Sequence, residues 1–271
     1  MPILWLRVAL GFYAIGLLYA LVALTRRGGL MNKLAVPAMG VGMIFQFVAL
    51  TEAIVSSGQL TLASVHHSES LLALLIMAAF LIVYGVYGTT SPGIVVFPLV
   101  FLLTFVSATG QQPFLLTSGV MSKRWLFAHI AMIFAGYAGL FLSFSASLLY
   151  LIQEHNLKAK KPSGIFGRLP ALEVIDEIGF RSLLLGFPFM TLGLILGTVV
   201  AQATYHKIDV LDPKILLSFL MWLVYLLLVY TRWSAGWRGR RAAYLATGAF
   251  AAAVVAWAAN YFSAIHRFVQ S

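Results

Sequence analysis

Of the 271 residues, 61% are hydrophobic and only 10% are charged, where a soluble domain would carry about 25% charged residues. With a mean hydropathy of +0.95, the composition predicts an integral membrane protein rather than a soluble domain. The net charge of +10 does not point to nucleic acid, because the basic residues fall in short segments between apolar runs, where they act as topology signals and lipid-headgroup contacts. There are no cysteines, which excludes disulfides, CxxC redox chemistry, thiolate metal sites and thiol attachment of a prosthetic group.

Eight apolar spans follow one another, at about 3–25, 34–54, 70–89, 92–109, 125–152, 182–204, 215–231 and 242–265. Each is roughly long enough, at about 1.5 Å per residue, to cross a hydrocarbon layer of about 30 Å. Only helices suit such lengths, since a backbone in lipid must satisfy its own hydrogen bonds. The first span is too long for a signal-peptide core, and Arg26 and Arg27 follow it rather than precede it. It is expected to be retained, with the N-terminus outside. Ser91-Pro92 and Asp212-Pro213 read as N-cap and first-turn pairs that open the fourth and seventh spans. Between the fifth and sixth spans, HNLKAKKPSGIFGR is basic and loop-like. LPALEVIDEIGFR then places Leu172, Ile175 and Ile178 on one face and Glu173, Asp176 and Glu177 on the other. The pattern predicts a short amphipathic helix on the inner surface before the sixth span. The expected fold is an all-α integral membrane bundle of eight transmembrane helices, a single membrane domain over 1–271.

Charge sets the expected orientation. One set of connections holds Arg26, Arg27, Lys33, Lys158, Lys160, Lys161, Arg168, Arg181, Arg232, Arg238, Arg240 and Arg241, twelve basic residues. The other set holds Arg7, Lys123, Arg124, Lys207, Lys214 and Arg267, six. Placing the richer set inside puts both termini outside.

On that topology five of the six histidines lie toward the outer face: His66, His67, His129, His206 and His266, with His155 inside. Neutral imidazole is a common metal and axial haem ligand. A histidine at a helix end is also an ordinary interfacial residue. His129 stands apart because it lies within an apolar helix, one turn below Lys123, Arg124 and Trp125, and a polar ionisable group there reads as functional. Its face continues through Met132, Ile133, Gly136, Leu140 and Ser143. The small residues Gly136, Gly139, Ser143 and Ser147 admit a neighbouring helix or a flat ligand. Glu52 and Glu69, at outer span ends, read either as solvated helix ends or as partners that orient a histidine. Gly193-Leu-Ile-Leu-Gly197 is a GxxxG pattern, which signals close helix contact within the bundle or between chains. The polar stretch with Tyr205, His206, Asp209 and Asp212 is an outward loop. No P-loop, dinucleotide fingerprint, HExxH or nucleophile elbow occurs.

LPALEVIDEIGFRSLLLGFPFMTLGLILGTVVA (169–201) followed by DPKILLSFLMWLVYLLLVYTRWSAGWRGRRAA (212–243) resembles the C-terminal half of the cytochrome c assembly proteins. These form the CcsA/ResC-type haem-handling superfamily of bacterial inner membranes and chloroplasts. SESLL (68–72), FPLVFLL (97–103), WLFAHIAMIFAGYAGL (125–140) and NYF (260–262) are similar in order and spacing, so the resemblance covers about 65–266. In that family an outward tryptophan-rich loop presents haem to apocytochrome, and external histidines ligate the iron. The resemblance implies that His129 matches the first external histidine and His266 lies near the second, with a shorter spacing from NYF. Asp212, Pro213 and Lys214 match the end of the tryptophan-rich loop. The family tryptophans are replaced by Tyr205, Asp209 and Leu211, and Tyr230 stands where the CcsA type carries a histidine. These departures resemble the HemX/YpjD-like branch. The resemblance implies an inner-membrane, multi-pass, non-enzymatic protein that handles non-covalent haem at its outer face. His129 and His266 would be the iron ligands, and His206, Tyr205 and Asp212 further contacts. Other cytochrome assembly proteins or another membrane subunit are the implied partners, besides the lipid bilayer. The alternative expectation is a membrane scaffold or regulatory partner that keeps the fold without haem chemistry.

Overall fold

The computed structural model describes residues 2–25, 31–57, 65–110, 122–160, 169–205 and 213–258. Among them all regular structure is helical: α1 (Pro2–Thr25), α2 (Val36–Ser57), α3 (Val65–Tyr87), α4 (Gly93–Thr109), α5 (Ser122–Lys158), α6 (Leu172–Tyr205), α7 (Pro213–Trp233) and α8 (Arg240–Ala258). A single π-helical turn, Met31–Ala35, leads into α2. Each expected span therefore has its helix. Six of them, α1, α2, α3, α5, α6 and α7, are long and apolar enough to cross a membrane. The chain is a multi-pass membrane protein of helical architecture.

The fourth and eighth spans differ from the expectation of full crossings. α4 has 17 residues, about 25 Å at 1.5 Å per residue, which falls short of a hydrocarbon layer of about 30 Å. It compensates by burial: Val96, Phe97, Val100 and Thr104 have no exposed surface. α8 covers Arg240–Ala258 of the expected 242–265, and the remainder lies outside the described residues. α4 also opens one residue later than expected. Pro92 takes the cap position with no side-chain cap bond. The Thr89 hydroxyl instead bonds Ser91 Oγ at 3.2 Å and accepts the Ser91 N–H at 3.3 Å.

The predicted surface helix before the sixth span is not a separate element. Residues 172–178 are the first turns of α6, which runs unbroken for 34 residues. The amphipathic pattern is real, but its apolar face meets protein rather than a lipid surface: Ile175 and Ile178 are buried in the core around Phe80, Leu142 and Leu149. Nothing between Gly179 and Leu183 breaks the helix, so the surface segment and the span fuse. α5 likewise runs past its expected end to Lys158, with Lys158 Nζ 2.6 Å from Glu154 one turn back.

Two cores meet across α5. One gathers Tyr13, Met39, Met77, Phe80 and Phe97 from α1–α4 together with Leu142 and Leu149 of α5. Phe80 and Phe97 pack edge to face at 5.0 Å. The other gathers Leu140, Leu183, Met190, Met221, Tyr225 and Ala246 from α5–α8. A buried polar node ties the first four helices. The Tyr13 hydroxyl donates to Gln46 Oε1 at 2.6 Å. Gln46 Nε2 donates to Ser70 O at 2.9 Å, Ser70 Oγ at 3.1 Å and Thr104 Oγ1 at 3.4 Å. A glutamine amide in an apolar span is tolerated because both of its polar atoms are bonded.

α5 and α6 are antiparallel and approach through small residues. A methyl group on Gly139 would come within 2.7 Å of Ser182 O and 2.8 Å of Gly186 Cα; one on Gly136 would meet Met190 Cβ at 2.9 Å. Contact this close gathers many weak dispersion contacts, which is what holds helices together in lipid. The C-terminal ends of α5 and α7 and the N-terminal ends of α6 and α8 fall at one end of the bundle. Tyr150 faces Gly239 there, and Arg232 meets Asp176. The opposite end carries the start of α5 and the end of α6.

Candidate functional site

His129 lies in the second turn of α5, half-buried, and points at α6. Its Nδ1 lies 2.7 Å from the carbonyl oxygen of Gly193. The ring rests on Gly197, where a methyl group would come within 2.6 Å of Cε1. One turn on, Ile133 sits on Gly193 in the same way, at 2.7 Å from a methyl there. The spacing explains the match. His129 and Ile133 are four apart on α5, Gly193 and Gly197 four apart on α6, and residues so spaced share a helix face. The GxxxG pattern therefore makes its contact within the bundle. The stripe of Gly136 and Gly139 likewise receives α6 rather than a flat ligand.

An imidazole whose one ring nitrogen bonds a backbone carbonyl is the usual arrangement of a metal-ligating histidine, because that bond fixes the ring and leaves the other nitrogen to the metal. The orienting group of His129 Nδ1 is thus a backbone carbonyl. Imidazole nitrogen is a donor that haem iron accepts, and the glycine cradle is a fit that a Cβ would destroy. Trp125, one turn before His129, is half exposed and adds an aromatic surface at the same end.

The remaining candidates are spread over several elements or lie outside the described residues. Tyr205 is the last residue of α6, two turns beyond Gly197 and so about 12 Å further along the axis. His206, Asp212 and His266 lie outside the described residues. His66 and His67 belong to the first turn of α3. His155 is near the C-terminal end of α5, at the opposite end of the bundle. Tyr230 is 60% exposed on α7 and turns away from the bundle. Among the described residues no group of three or more His, Cys, Asp or Glu side chains could hold a metal ion.

The other end holds a cluster that sequence reading does not reveal. Arg232 Nη1 lies 2.6 Å from Asp176 Oδ1, Nη2 donates to the Asp176 carbonyl at 2.9 Å, and the Gly239 N–H donates to Oδ1 at 3.1 Å. The guanidinium stacks over Phe180 at 4.9 Å. A water-sized crevice of about 20 Å³ beside it is lined by Ser143, Ser147, Tyr150 and the ion pair. Its size suits one water, not an organic ligand.

With the geometry in place, similarity to known proteins decides the family. A family model described as Cytochrome C assembly protein matches residues 5–265. The chain belongs to this family. Among similar relatives, cytochrome c biogenesis protein CcsA of Prochlorococcus marinus (strain MIT 9312) is 32% identical over 156 residues, 51% of this chain and 50% of the relative. The Chlamydomonas reinhardtii protein of that name is 31% identical over 139 residues, 51% and 37% of the two chains. Protein HemX of Brevibacillus brevis is 29% identical over 142 residues, 52% and 51%. The chain spans about half the length of the curated relatives it matches, or less.

Proposed function

We propose that this member of the cytochrome c assembly family binds haem non-covalently at the end of the bundle that carries His129. That end faces outward from a bacterial inner membrane, and the protein serves cytochrome complex assembly without turnover of its own. The observation that carries the reading is the seating of His129, with Nδ1 2.7 Å from the Gly193 carbonyl. Family membership supports the haem chemistry. The distribution of basic residues supports the sidedness, since the opposite end holds Lys158, Arg181, Arg232, Arg238, Arg240 and Arg241.

Haem, when bound, would supply an iron that accepts imidazole nitrogen as a donor. His129 would be the first residue to hold it, and His266 the second. Tyr205, at the end of α6, with His206 and Asp212 would supply further contacts to the group. The partners are the surrounding lipid and other cytochrome assembly proteins or another membrane subunit. Protein purified in mild detergent from haem-replete cells carries haem under this reading. Haemin added to right-side-out vesicles reaches the site without crossing the membrane. Haem-free protein that also ignores added haemin would refute it.

A second reading, a membrane scaffold or regulatory partner without haem chemistry, is favoured by Tyr205, Asp209 and Leu211 in place of the family tryptophans. The outward, exposed Tyr230 favours it too. A single stable partner recovered by crosslinking from a haem-free preparation distinguishes it.

A further inference from the structure

The turn between α7 and α8 carries more positive charge than the chain neutralises. All eight acidic residues lie at or before Asp212, so nothing from Pro213 onward offsets the arginines there. At this end of the bundle Asp176 is taken by Arg232 at 2.6 Å, Glu154 by Lys158 at 2.6 Å, and Glu177 by Arg181. Glu173 is exposed on the first turn of α6. Arg238, Arg240 and Arg241 are exposed and form no ion pair among the described residues.

The backbone holds these three arginines in place. The Trp237 N–H donates to the Thr231 carbonyl at 3.0 Å, and the Gly239 N–H to Asp176 Oδ1 at 3.1 Å. Gly236 and Gly239 both take the left-handed φ that glycine tolerates, 64° and 65°. Arg240 folds along α8, with Nε and Nη2 at 3.4 and 3.2 Å from the Tyr244 hydroxyl and the guanidinium 5.4 Å from the ring centre. Beside them Trp233 and Trp237 are 72% and 38% exposed. Exposed tryptophans at the end of an apolar helix sit at the level of lipid headgroups. Arginine at that depth meets phosphate oxygens, which its planar fork binds through two N–H groups at once.

We propose that the α7–α8 turn is a binding site for the phosphate of an anionic phospholipid, held by Arg238, Arg240 and Arg241. A zwitterionic headgroup brings its own cation, which three uncompensated arginines repel; an anionic one does not. The occupant is a lipid rather than a free phosphate because the surface continues from the arginines into hydrocarbon, through Trp233 and the exposed Tyr230, Leu227 and Leu226 of α7. The site stands on the membrane crossing and is independent of the haem reading.

Native mass spectrometry of the full chain in mild detergent tests the proposal, with phosphatidylglycerol and phosphatidylcholine of identical acyl chains offered in equal amounts. The unaltered protein is expected to retain phosphatidylglycerol with a preference of about fivefold or more, the weight of one cation near an anionic surface. The triple variant Arg238→Gln, Arg240→Gln, Arg241→Gln is expected to retain both lipids within twofold of each other. Arg181→Gln removes a cation that Glu177 already pairs, and should keep the preference within twofold of the unaltered protein. Inorganic phosphate should displace no more lipid than chloride of the same ionic strength.

Equal retention of the two lipids by the unaltered protein overturns the proposal, and that measurement needs no variant to fold. A triple variant that keeps the preference overturns it too, as does an equal loss in Arg181→Gln. Displacement by inorganic phosphate beyond that by chloride shows a free-anion site and overturns the lipid assignment.

Discussion

Arg232 and Asp176, 56 residues apart in the chain, form an ion pair of 2.6 Å that joins the start of α6 to the end of α7. Their side chains are 7% and 18% exposed, so solvent screens the pair weakly. The same carboxylate oxygen accepts the Gly239 N–H, and Gly239 takes a left-handed φ of 65° that suits glycine. One aspartate thereby anchors two helices and the turn that leads into α8.

Removing either partner is expected to leave the other charge buried without compensation, at a cost of about 3–5 kcal/mol. Arg232→Ala and Asp176→Ala should both unfold far more readily than the unaltered protein in bicelles, as read by denaturant titration. A loss below about 0.5 kcal/mol, the range of a surface substitution, would show that the pair does not hold the helices.

The Gln46 node leads to a graded expectation. Gln46→Leu removes every bond that links Tyr13, Ser70 and Thr104, and should cost about 1–3 kcal/mol. Tyr13→Phe removes one interhelical bond, for which membrane proteins average about 0.6 kcal/mol. The double variant should cost less than the sum, because both changes delete the same contact. Equal single effects, or strict additivity in the cycle, would contradict a node centred on Gln46.

Glycine substitutions should differ in sign by position. Gly139→Ala drives a methyl into the backbone of α6, 2.7 Å from Ser182 O and 2.8 Å from Gly186 Cα. Overpacking of this kind costs about 1–3 kcal/mol. Gly85 and Gly248 are helical, and a methyl there meets nothing within 4 Å. Alanine at either should be neutral or stabilising by about 0.5–1 kcal/mol, because glycine is a poor helix former. Thermal unfolding of the three variants side by side checks the order.

Much of this architecture is legible in the chain because lipid allows so few solutions. Eight apolar runs become eight helices, and the GxxxG pattern becomes a close contact. The limits are equally physical. The pattern at 172–178 shows that one face is apolar but not what covers it, so a core face of α6 resembles a surface helix until Ile175 and Ile178 are seen buried against α5. His129 is conspicuous as a polar residue in an apolar helix. Its partner Gly193 is not, because the partner is a carbonyl, a group every residue carries. The Arg232–Asp176 pair is invisible for another reason: each residue also reads well as an ordinary basic anchor or an acidic helix face.

The central proposal is that His129 would hold haem iron. The direct measurement is a haemin titration of purified protein in nanodiscs, followed in the Soret band, with the unaltered protein and His129→Ala side by side. The account predicts a saturable, shifted Soret band that signals nitrogen ligation in the unaltered protein and its loss in the variant. No shifted band in the unaltered protein, or the same band in His129→Ala, would contradict it.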